Sequence, residues 1–186
     1  METNNKKQGD VGLSSSHDTK PVEITIILPT QTYFISGIRD FTLNLIKNMT
    51  DFGEQWAYRF QSIVDELCNN AIEHGSSSED SITIVFQHTP EYIQILVSDH
   101  GSGKSHLKAE EIKGLVDDRK NHNVLSGMIR GRGLPKIVSE WTDELEFVNN
   151  SDGGITVRVR KYLNYPQVEL KTYTSVKKTT NIILNV

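Results

Sequence analysis

A chain of 186 residues and 21.0 kDa with a formal net charge of −4 has the length of one domain. That is enough to bury a core without covalent staples. The mild acidity excludes a generic nucleic-acid binder, which concentrates charge in a basic face, and the single cysteine, Cys68, excludes an internal disulfide and a multi-cysteine zinc site. The first seven residues lack the apolar stretch of a signal peptide, and no apolar run is long enough to cross a bilayer. The sequence therefore predicts a soluble, cytoplasmic protein.

Residues 1–20 are polar, with Ser14-Ser15-Ser16 at their centre, and the composition predicts a disordered tail. Val22–Leu28 alternates and is rich in β-branched residues, which predicts a strand ended by Pro29. Phe34, Ile38, Phe41, Leu45 and Met49 recur at helical spacing and predict a first helix over about 32–49. Trp56, Phe60, Ile63, Val64, Leu67, Ala71 and Ile72 form a second stripe, with Gly75 past its end as a C-cap. Two strands follow, Ser81–Phe86 and Tyr92–Val97, joined by the turn Thr89-Pro90-Glu91. Residues 100–130 show weak periodicity and are expected to form a long mobile segment. A third helix is expected over Leu134–Trp141, with Pro135 in its first turn.

Leu145–Val148 and Ile155–Arg160 are the next strands, joined by Asp152-Gly153-Gly154, with Ile155, Val157 and Val159 inward and Arg158 and Arg160 outward. Strands that alternate this cleanly belong to a sheet covered on one face. With the helices they predict an α/β (α+β) two-layer sandwich with a mixed, mostly antiparallel sheet and helices on one face. The expected division is a tail over 1–20, a domain over 21–163, and a strand-prone extension over 164–186 of no legible role.

Three motifs carry chemistry. On the second helix, Glu66, Asn70 and His74 stack at intervals of four residues beside the apolar stripe. The amide oxygen of Asn70 suits Mg²⁺, which prefers oxygen ligands, and Glu66 can take a proton from a hydroxyl or water. A solvated helix face accounts for these residues equally well. At a strand end stands Asp99-His100-Gly101-Ser102-Gly103. There Asp99 can accept a hydrogen bond from an exocyclic amine such as that of adenine, and the glycines allow close backbone approach. An ordinary Asp-Gly turn is the plainer reading. Gly131-Arg132-Gly133-Leu134 opens the third helix, where exposed amides and the helix dipole attract phosphate and Arg132 can add a bidentate contact. A flexible linker fits as well. Gly103-Lys104-Ser105 is no phosphate loop, because Ser98 stands where the motif needs a glycine. Cys68 lies on the buried stripe and reads as core packing. His74 has no second ligand spaced for zinc.

In this order and context the motifs resemble the GHKL (Bergerat-fold) ATPase superfamily, and within it the bacterial anti-sigma-factor serine/threonine kinases. Glu66–Gly75 resembles their N box, Asp99–Gly103 the first glycine box, Gly131–Leu134 the second, and Gly154-Ile155-Thr156 the late element near adenine. Ile155 stands where that element usually carries a first threonine.

The likeness covers about residues 22–162 and implies the Bergerat fold. It implies ATP with Mg²⁺ under a lid over about 104–130, with Lys104, Arg119 and Arg130 as phosphate candidates. It assigns Glu66 as the catalytic residue and Asn70 to the metal. The nucleotide set it implies is Asn70, His74, Asp99, Gly101, Gly103, Gly131, Arg132, Gly133, Leu134 and Thr156. The implied activity is phosphorylation of a serine on an anti-anti-sigma partner, with sequestration of a sigma factor or other regulatory protein. A homodimer is suggested, and no direct contact with nucleic acid or membrane. A nucleotide-binding partner-switch module without efficient catalysis is the alternative. A histidine-kinase ATPase domain is a weaker one, since those enzymes tend to carry asparagine where Glu66 stands.

Overall fold

Apolar residues at every second position build the strands of a computed structural model that describes residues 21–103, 107–121, 141–163 and 180–185. The strands are β1 (Val22–Pro29), β2 (Ser81–His88), β3 (Tyr92–Ser98), β4 (Glu144–Asn149), β5 (Ile155–Tyr162) and β6 (Thr180–Asn185). They form one sheet in the order β4-β5-β3-β2-β1-β6. Neighbours among β1 to β5 pair antiparallel, and β6 joins the edge parallel to β1. The mixed, mostly antiparallel sheet expected from the alternation is thus present, and the strand-prone end of the chain is its sixth strand.

The cross-strand register puts Ile24, Ile26 and Leu28 of β1 opposite Phe86, Ile84 and Ile82 of β2. The same face continues through Ile95 and Val97 of β3 to Val159 and Val157 of β5. Of these ten side chains all but Val157, which is partly buried, are buried. Each large side chain placed there contributes about 1.5–3 kcal/mol by leaving water.

Two helices cover this face. A 3₁₀ turn (Thr32–Phe34) leads into α1 (Ile35–Met49), and α2 spans Glu54–Asn70. α1 meets the sheet through Phe41, whose ring lies 5.3 Å from that of Phe86. α2 supplies Phe60, Ile63, Val64, Leu67 and Cys68 to the same core. The stripe on α1 is wider than the expected one, in which Phe34 and Phe41 pack partly buried against the core. Ile35, Ile38, Thr42, Leu45 and Ile46 are buried, whereas Met49 is exposed. Thr42 is tolerated inside because its hydroxyl donates to the Ile38 carbonyl at 2.7 Å. Cys68 is packed inside, and burial pushes its thiol far above the ordinary range, as expected for a packing residue. Trp141 packs against the core.

Three local expectations are corrected. β1 includes Pro29: β6 pairs only as far as Ile27, so among the described residues no neighbour on that side needs an amide from the proline. Gly75 is no left-handed C-cap. α2 runs into a π turn over Ala71–Gly75 with Ser76 as its extended C-cap, and positive φ occurs among the described residues at Gly101 and Gly153. The stretch expected to be structureless contains α3 (Ala109–Asn121), anchored by buried Ala109 and Val116. The expected third helix lies outside the described residues, apart from Trp141 at its end.

The opposite face of the sheet carries a polar row across five strands. Gln87 Nε2 donates to Glu23 at 2.6 Å, and Gln94 Nε2 donates to Gln87 Oε1 at 2.5 Å. Arg160 donates to Gln94 Oε1 at 2.9 Å through Nε and pairs with Glu144 at 3.3 Å. Gln94 is buried, and these partners satisfy it.

Candidate functional site

Asp99 follows the last residue of β3 and is held by the neighbouring strand. Its backbone N–H donates to the Ile155 carbonyl at 3.1 Å. Its Oδ1 accepts from the Ile155 N–H at 3.1 Å and the Gly101 N–H at 3.0 Å. Asn150 Nδ2 donates to its carbonyl at 3.1 Å. The main chain and one carboxylate oxygen are thus committed. Oδ2 accepts no hydrogen bond among the described residues, which leaves it for an external donor. Burial pushes the Asp99 carboxyl above its ordinary range, while the Ile155 and Gly101 amides pull it back.

Glycines pack where this geometry leaves no room for a side chain. A Cβ on Gly75 would overlap the Asp99 carboxylate, with Asp99 Cβ at 2.8 Å. One on Gly154 would overlap the Asp99 carbonyl, and one on Gly103 the backbone of His74 and Ser76. Gly101 adopts φ +68° and presses against the Gly153 carbonyl. The π turn places Gly75 against Asp99; single π turns inside helices often mark functional sites.

Thr156 lies one residue beyond Ile155. Its hydroxyl is 2.7 Å from that of Ser98 and donates to Asn150 Oδ1 at 2.7 Å. The late element is therefore linked to Asp99 through Asn150. The contact from Ile155 is made by its backbone amide, so an isoleucine at that position leaves it intact.

Asn70 is the last residue of α2, immediately before the π turn. Its Nδ2 donates to Glu66 Oε1 at 3.2 Å, one turn back on the half-buried side of the helix. That bond aims the amide nitrogen at the carboxylate and leaves the amide oxygen with no partner among the described residues. A hard oxygen in this state fits Mg²⁺, which usually keeps phosphate oxygens and waters as its other ligands. Among the described residues no three His, Cys, Asp or Glu side chains are grouped to hold a metal ion. His74 is exposed and, with Ser76, Ser102 and Gly103, lines an open groove of about 700 Å³.

The structure therefore gathers Gly75, Asp99, Gly101, Gly103 and Thr156, and sets Glu66 and Asn70 on the helix that runs into them. Gly131, Arg132, Gly133 and Leu134, like Lys104 and Arg130, lie outside the described residues; Arg119 is a residue of α3. Sequence reasoning missed Asn150 and the true task of Gly75. Asn150 sits next to a turn signal that drew attention to the glycines alone, and the close approach at Gly75 depends on a strand distant in the chain.

Among the described residues no helix is long and apolar enough to cross a membrane. No curated protein is similar enough to register as a match. The family profile of the histidine kinase-like ATPase domain matches residues 29–161, a span that contains the second helix, Asp99 and the late element. That match covers more than half of the chain, and the chain belongs to this family of ATP-binding domains.

Proposed function

We propose that the chain is an ATP-dependent serine/threonine protein kinase and anti-sigma-type regulator. It would phosphorylate a serine on an anti-anti-sigma partner and hold a sigma factor or another regulatory protein. The observation that carries this reading is the Glu66–Asn70 pair. The carboxylate stands one helical turn from the asparagine that the fit assigns to the cation, and it retains oxygen lone pairs for a hydroxyl proton. An asparagine at position 66, as histidine kinases tend to carry, could not take up a proton.

Asp99 would read adenine by accepting from its exocyclic amine through Oδ2, while the glycines let the ring approach the backbone. Asn70 would hold Mg²⁺, which when bound neutralises phosphate charge. Glu66 would orient the acceptor serine and take its proton as the serine oxygen bonds to the γ-phosphorus and the bond to the ADP oxygen breaks. Most barrier lowering in phosphoryl transfer comes from positioning and charge stabilisation, with a general base adding about 10²–10⁴-fold. The localisation that fits this role is the cytoplasm.

The test is Glu66→Ala, assayed with labelled ATP-Mg²⁺ against candidate partners and source-cell lysate. Expected are unchanged nucleotide affinity and loss of phosphoserine on the partner by about 10²-fold or more. Transfer at an undiminished rate would overturn the role given to Glu66. Nucleotide-dependent partner capture by wild type, with no phosphoserine formed, would favour a partner switch without catalysis.

A further inference from the structure

Asp80 lies outside the residues so far given a role, yet it is the node of a hydrogen-bond cluster. Its Oδ2 accepts from the Ser77 N–H at 3.0 Å, from the Ser77 hydroxyl at 2.7 Å, and from the Ser102 hydroxyl. The Ser77 N–H also donates to Ser102 Oγ at 3.0 Å. The turn that carries Ser77 and Asp80 is itself fixed to the end of β1. The Thr30 N–H donates to the Asp80 carbonyl at 3.1 Å and its hydroxyl to the Ser77 carbonyl at 2.6 Å. Ser102 is therefore tied to a rigid corner, and it lies between Gly101 and Gly103.

We propose that Asp80 is a positioning residue for the nucleotide site, holding Gly101–Gly103 through Ser102 in the form that leaves Asp99 Oδ2 open to a purine amine. The inference rests on the nucleotide reading above. Gly101 is engaged with Asp99 Oδ1 and Gly153, and Gly103 donates to the Gly75 carbonyl at a long 3.4 Å. Between them the Ser102 side chain is held by Asp80 and by the Ser77 N–H. A glycine-flanked loop loses much conformational freedom when ordered, and ordering it before the ligand arrives removes that cost from binding. The Ser102 and Ser77 hydrogen bonds hold the Asp80 carboxyl down at about 2, so the anchor stays charged at any working pH. Hydrogen bonds to a charged acceptor are the stronger kind.

The experiment is a double-mutant cycle on ATP-Mg²⁺ affinity by calorimetry, using the full chain with Asp80→Asn, Ser102→Ala and the pair, and Ser102→Thr as the conservative variant. Each single change should weaken binding about three- to tenfold, the pair no more than the worse single one, and Ser102→Thr should restore affinity. Ser102→Ala should lower the thermal midpoint only slightly, since Ser102 is exposed, and Ser102→Thr should keep it; a purely structural role would move stability and leave affinity alone. Wild-type affinity in Ser102→Ala, or strictly additive losses, would overturn the proposal. If Asp80→Asn does not fold, the two Ser102 variants decide it. A wild-type protein that binds no ATP-Mg²⁺ would overturn the nucleotide reading itself, which separates the two failures.

Discussion

At Asp99 two oxygens of one carboxylate have different tasks. Oδ1 is bound by two backbone amides, and Oδ2, beside Gly75, accepts no hydrogen bond among the described residues. Burial raises the carboxyl above its ordinary value. In the free protein it therefore takes up a proton at a higher pH than an exposed aspartate, whose pKa is about 3.9. A donor on the ligand favours the charged form. Nucleotide affinity should accordingly strengthen as pH rises through that raised value and then level off. The sign for folding is opposite: between the ordinary and raised values the folded chain binds more protons than the unfolded one, so this group's share of stability is lost as pH rises. Titrating ATP-Mg²⁺ into wild type and Asp99→Asn from pH 4 upward checks the first statement. The ratio of the two affinities cancels the nucleotide's own titration and should grow with pH; a ratio flat across the range would assign the titration to another group.

At the scale of the element, α3 shows why part of the chain was illegible. Its sequence, Ala109–Asn121, has a glycine at position 114 and little apolar pattern. Its N-terminus is capped from two sides. Glu111 accepts from the Lys108 N–H at 2.7 Å, a local signal, while Asn149 Oδ1 at the end of β4 accepts from the Ala109 N–H at 2.9 Å. The second cap comes from 40 residues away, beyond any local pattern. Asn149→Ala should cost about 1 kcal/mol of local stability. Hydrogen exchange should then quicken in α3 while β1, β2 and β3 keep their protection. Unchanged exchange in α3 would show that the cap does not hold it. The helices of the core were legible by contrast, because Phe60, Ile63, Val64 and Leu67 repeat over several turns. On α1 the expected Phe34, Ile38, Phe41 and Leu45 all pack on the core, Ile35, Thr42 and Ile46 widen that stripe, and Met49 falls off its end.

For the whole molecule, alternation revealed five strands, the hairpins and the one-sided helical cover. Strand order was not in any local pattern, since β5 enters between β3 and β4 and the register that joins Ser98 to Thr156 emerges with it. Of the candidate site, the polar residues Glu66, Asn70 and Asp99 could be read from spacing. The close packing at Gly75 and the link through Asn150 could not, because both depend on which elements lie side by side. One core joins the layers, and Phe60, 1 % exposed, stands against Phe52 and Trp56 in it. Phe60→Ala should therefore destabilise the fold by about 3–5 kcal/mol in denaturant unfolding; a change well below 1 kcal/mol would mean that this layer does not bear on the rest.

The row from Glu23 to Arg160 has a sense. A carboxylate at one end can only accept, and a guanidinium at the other can only donate. The two glutamines between them are consequently forced to face the same way, nitrogen toward β1 and oxygen toward β5. With one end neutralised the other still sets the direction, so only the loss of charge at both Glu23 and Arg160 would let the two amides turn over together.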